Sequence, residues 1–99
     1  MIRHVVMWTL RDADDAPRFK ALLDSCNALV PGMQQFEVGI RGDGLQANAD
    51  VVLVSLFSDE AALDAYQNHP VHQAVSAQLG PLRVARHVVD HFITPEGPA

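Results

Sequence analysis

An α+β fold of order β-α-β-β-α-β is predicted from three features of the chain. Four runs are β-branched and aromatic, and the two stretches between them carry apolar residues at the helical period. The first and third runs are apolar on both faces, whereas the second has one polar face. At 99 residues there is room for one domain only.

The first strand is Ile2–Leu10 (IRHVVMWTL). Its alternation puts His4, Val6, Trp8 and Leu10 on one face and Val5 and Met7 on the other. Asp14 and Asp15 are placed to cap a helix, and Pro17 suits its first turn. Phe19, Leu22, Leu23, Cys26, Leu29 and Val30 then form one apolar helix face, and Pro31-Gly32 stops it. In the second strand Phe36, Val38 and Ile40 alternate with Gln35, Glu37 and Gly39. Residues 42–49 (GDGLQANA) form a glycine-rich polar loop, and Val51–Phe57 (VVLVSLF) is the third strand. Ser58-Asp59-Glu60 caps a second helix carrying Ala62, Leu63 and Tyr66. Asn68-His69-Pro70 interrupts it, because proline disfavours helical backbone in the residue before it. A further helical run ends at Gly80-Pro81, and residues 84–93 return as a strand. The domain therefore spans residues 1–94, and residues 95–99 read as a loose tail.

This order of elements is the split βαβ, or ferredoxin-like, arrangement. Right-handed crossovers put both helices on one face of a four-stranded antiparallel sheet of order 4-1-3-2. Strands 1 and 3 are then central, which suits runs apolar on both sides. The second face still presents Val5, Met7, Val52, Val54, Leu56, Val89 and Ile93. A monomer leaving such a patch in water is unusual. The expected cover is the same face of a second copy, giving an isologous homodimer.

A net charge of −5 argues against nucleic acid or an anionic membrane surface as partner, since both need a basic face. No apolar run approaches the roughly 18 residues of a membrane span, and none has the flanks of a signal peptide. Cys26 is the single cysteine, so no internal disulfide is expected, and its place on an apolar stripe marks a buried thiol. A reducing cytoplasm fits these features.

Several segments resemble the stress-responsive A/B-barrel (Dabb) family: IRHVVMWTL, the VPGM after the first helix, VVLVSLFSDEAALDAYQNHPVHQ, and the closing VVDHFITP. The resemblance covers nearly the whole chain, and its most specific pieces are His4 and the run from Ala65 to His72. It implies a ferredoxin-like subunit whose dimers close into an α/β barrel with the sheets facing each other. The family includes durable, heat-stable plant stress proteins and a branch of plant polyketide cyclases of the olivetolic acid cyclase type. By carry-over from that branch, Tyr66 and His72 match the catalytic pair, and His4 and Asp90 match polar residues of the same pocket. Lys20 and Leu23 depart from the bulky apolar and aromatic lining that a long-tailed aromatic substrate favours.

Such a set suits proton abstraction next to a carbonyl. His72 would be the general base, and the Tyr66 hydroxyl would donate to the developing enolate. Val6, Trp8, Phe36, Val38, Leu53 and Phe57 are expected to give the pocket apolar walls for a small carbonyl ligand. This chemistry, a cyclase, isomerase or lyase step, needs no cofactor. The alternative is a non-catalytic stress-response or ligand-binding dimer, in which Tyr66, His72 and a His4–Asp90 link are structural. His69-Pro70 then simply ends a helix, with the imidazole capping its carbonyls. No metal site is expected: His69 and His72 have a proline between them, and zinc wants three or four converging ligands. Oxygen-dependent monooxygenases share the dimeric barrel, but no residue here favours them.

Overall fold

The computed structural model of the protein describes residues 1–94, and the tail expected at residues 95–99 lies outside them. The order is β1 (Ile2–Leu10), α1 (Ala16–Asp24), β2 (Met33–Ile40), β3 (Val51–Phe57), α2 (Glu60–Gln67), α3 (Pro70–Leu79) and β4 (Arg83–Phe92). The sheet runs β2-β3-β1-β4, all antiparallel. That is the expected ferredoxin-like order, with β2 and β4 at the edges. Among the described residues no helix is long and apolar enough to cross a membrane.

The core lies between the helices and one face of the sheet. Val6, Trp8, Leu53, Val51 and Phe57 supply the sheet side, and Phe19, Leu23, Tyr66, Val75 and Leu79 the helix side. Phe19 is fully enclosed and meets Trp8 edge to face at 5.2 Å between ring centroids. Of the expected pocket walls, Phe36 and Val38 belong to this packed layer. The other face is half-open: Met7 is 41% exposed and Val89 62%. Leu56 is an exception there, being buried. On the helix side, β4 is incompletely covered, since Val88 and Phe92 remain exposed.

Three local expectations are corrected. The first helix ends at Asp24, not at Pro31-Gly32. The Ser25 hydroxyl donates to the Leu22 carbonyl, and Ala28 turns the chain through the left-handed region (φ 59°). Cys26 still reaches the core from that turn. Ahead of the same helix, Asp12 caps a short 3-10 turn (Ala13–Asp15), accepting from the Asp14 amide at 2.9 Å, while Asp15, at the N-cap of the helix itself, makes no side-chain cap bond. Finally, His69 caps an N-terminus and not carbonyls. Its Nδ1 accepts from the Val71 amide at 3.0 Å and opens α3, with Pro70 in the first turn. Asp59 opens α2 as expected, accepting from the Ala62 amide at 2.8 Å.

Gly32 is fixed by both backbone and space. Its φ is +93°, and an added Cβ would stand 2.6 Å from Ser58 Oγ and 2.8 Å from Ala62 Cβ. Gly32→Ala is therefore expected to destabilise the fold by about 1–3 kcal/mol, read as a lowered Tm in thermal unfolding. An unchanged Tm would show that the turn relaxes freely.

Asp50 is a buried carboxylate that the sequence pattern does not single out. Its Oδ2 accepts from the Leu10 amide at 2.7 Å, and Arg41 Nη1 approaches its other oxygen at 3.6 Å. The Leu10 amide is thereby satisfied where the pairing of β1 with β4 changes register, between Thr9 and Leu10.

Candidate functional site

A cavity of about 240 Å³ opens between the sheet and the helices. β1 contributes His4, Val6 and Trp8, and β3 contributes Leu53. These positions follow from the two-residue period of the strands. Tyr66 comes from the last turn of α2 and His72 from the first turn of α3. The Asn68-His69-Pro70 break allows this: it ends one helix and starts the next within a few residues, so both rings meet on one wall. Their centroids are 4.6 Å apart in an edge-to-face arrangement.

His4 is 2% exposed, and its Nδ1–H donates to Asp90 Oδ1 on the neighbouring strand, where the register sets the two residues opposite each other. Holding Nδ1 in this way leaves Nε2 as the acceptor nitrogen of a neutral His4. Asp90 thus contacts His4 and does not line the cavity itself. Phe57 stands behind His4 and Tyr66, at 6.3 Å and 5.1 Å between centroids, again outside the lining. Of the residues expected in the pocket, His4, Val6, Trp8, Leu53, Tyr66 and His72 line it, and Asp90, Phe36, Val38 and Phe57 stand behind or beside it.

The electrostatics follow from burial. His72 is pushed below the ordinary imidazole value of 6.5, first by desolvation and then by the nearby His4, with the Gln67 carbonyl acting in the opposite direction. Near neutral pH it is therefore an unprotonated base. Its Nδ1 is the one buried side-chain nitrogen or oxygen without a hydrogen-bond partner among the described residues. Burial, and secondarily Cys26, push the Tyr66 hydroxyl well above its ordinary value of 10, so it is a donor at any physiological pH. Burial likewise raises Cys26, which stays a thiol and forms part of the wall. No group of three or more His, Cys, Asp or Glu side chains converges on a metal position among the described residues.

Among the lining positions beyond those expected are the pair Val75 and Leu79 from α3, and Arg83 and Arg86 from β4. The α3 pair was readable from helical spacing. The arginines were not, for a reason that the register of β4 supplies below.

Comparison with known proteins agrees with this architecture. A family model described as the stress responsive A/B barrel domain matches residues 2–93. No curated protein matches the chain. Among solved structures, the chain is similar to a dimeric ferredoxin-like protein of unknown function from Thermobifida fusca. The TM-score is 0.82 and the identity 25%, over 93% of this chain and 90% of that one. It is also similar to a Dabb family protein with a ferredoxin-like fold from Mesorhizobium loti, with TM-score 0.77 and 26% identity over 94% and 96% of the two chains. A third, a dimeric ferredoxin-like protein of unknown function from Jannaschia sp., has TM-score 0.77 and 30% identity over 93% and 98%.

Proposed function

Because the chain belongs to the stress-responsive A/B-barrel domain family, we propose that it is a homodimer whose cavities hold a small carbonyl compound, from which His72 removes a proton. The dimeric state of the similar Thermobifida fusca and Jannaschia proteins supports the pairing. So does the half-open apolar face carrying Val5, Met7, Val52, Val54 and Val89.

The observation that carries the chemistry is the placement of Tyr66 and His72 together on one cavity wall, with the imidazole held neutral. The C–H bond next to the carbonyl breaks, its proton passes to the imidazole, and the electron pair moves into an enolate. The Tyr66 hydroxyl donates to the enolate oxygen, and His4, oriented by Asp90, offers a second polar contact. The enolate can then close a ring, shift a double bond or take back a proton, as in the cyclase branch that the Tyr66–His72 pair resembles.

The test is solvent deuterium incorporation beside the ketone of 2-pentanone and of levulinate. The protein should accelerate it from about pH 5 to about pH 9, with the rate falling on the acid side as the base is protonated. Since His72 is shifted downward, that limb should have its midpoint below 6.5. Tyr66 should add no alkaline limb below pH 10, because its shift is upward. Rates equal to buffer for both ketones across this range would leave a non-catalytic binding dimer as the better reading.

A further inference from the structure

Arg83 and Arg86 are three residues apart, so a regular strand would point them to opposite faces of the sheet. The pairing of β1 with β4 does not stay regular. Trp8 faces Arg86 and Thr9 faces Ala85, but Leu10 faces Arg83, so Val84 is the extra residue of a bulge. Directly opposed residues of an antiparallel pair share a face. Both arginines therefore stand on the side of Trp8 and Leu10, and both line the cavity. A bulge that re-aims a side chain at a site is a built feature.

Their charge is not paired among the described residues. Ion pairs among the described residues join His4 to Asp90, Lys20 to Asp24 and Arg41 to Asp50, and none engages Arg83 or Arg86. Two arginines, Arg83 half-buried and Arg86 exposed, thus line the cavity from β4 in a chain whose net charge is −5. The remaining wall sets the polar His4, Tyr66, His72 and Ser76 beside the apolar Val6, Leu23, Leu53, Val75 and Leu79. The volume falls below the roughly 300–1,000 Å³ of drug-sized sites, which suits a small ligand.

We propose that the cavity takes a small amphipathic carboxylate, its anionic end held by Arg83 and Arg86 and its apolar body lying toward Leu53 and Leu79. The planar guanidinium fork matches a carboxylate in two parallel hydrogen bonds. The assignment rests on the proposed function for the position of the reacting carbonyl. It makes the substrate class a keto acid, with the ketone beside Tyr66 and His72.

Trp8 lines the cavity and is the only tryptophan, so its fluorescence reports occupancy. Hexanoate should bind about ten-fold or more tightly than hexanamide at low salt, and the preference should shrink as salt is added. The double variant Arg83→Gln/Arg86→Gln should bind both equally, while Arg83→Lys/Arg86→Lys should retain part of the preference. Equal binding by the native protein, an undiminished preference in the Gln variant, or no saturable response to hexanoate up to about 10 mM would overturn the carboxylate site. Displacement of hexanoate by inorganic phosphate at lower concentration would overturn it in favour of a phosphate ligand. Binding is read here without turnover. Acid preference without deuterium exchange would defeat the proton-transfer reading alone, and exchange on neutral ketones without acid preference would defeat this one alone.

Discussion

His72→Ala should lower the rate of deuterium exchange by about 10²–10⁴-fold while leaving the Tm nearly unchanged. The rate effect is the usual worth of a positioned general base. The small stability effect follows from where the ring sits. His72 borders an existing cavity, and its buried Nδ1 has no partner to orphan when the ring is removed. Tyr66→Phe separates the hydroxyl from the ring: the core contacts with Phe57 and His4 persist, so a rate loss of about 10²–10³-fold should again come with little change in folding. If His72→Ala chiefly lowers the Tm and spares exchange, the residue is structural and the catalytic assignment fails.

Val54→Asp should convert the dimer to a monomer in light scattering. Val54 lies near the middle of the open face, directly between Val5 on β1 and Glu37 on β2. In an isologous interface each substitution counts twice. Burying an unpaired charge costs several kcal/mol, and like charges across a contact add to it. The cavity is on the other side of the sheet, so hexanoate binding per chain should survive dissociation better than thermal stability does. A dimer of unaltered strength would mean that copies pair through another surface.

How much of this could be read from residues alone depended on how far each signal was local. Strand order was legible because doubly apolar β1 and β3 belong in the centre and half-polar β2 at an edge. The end of α1 was not, because Cys26, Leu29 and Val30 keep the helical spacing although the backbone has already turned at Ser25. Spacing records which side chains are buried, not the conformation that buries them. Tyr66 and His72 came from resemblance; their period places them on two helices but says nothing of a shared wall. Phe36, Val38 and Phe57 had the right face and the wrong depth, being packed under the cavity instead of around it. The arginines were hidden because alternation assumes an unbroken ladder, and β4 breaks step at Val84.

That break has a consequence for how the strand tolerates length changes. Without Val84, Ala85 would still face Thr9 and Arg83 would still face Leu10, in a regular ladder. A one-residue deletion at this point is thus geometrically silent for the pocket. One further inserted residue has no such slack, and would swing Arg83 toward the half-open face where the second copy is expected. Sequence drift in length at the start of β4 is therefore asymmetric. Shortening leaves both sides of the sheet in their roles, and lengthening moves a positive charge from the ligand's side to the partner's.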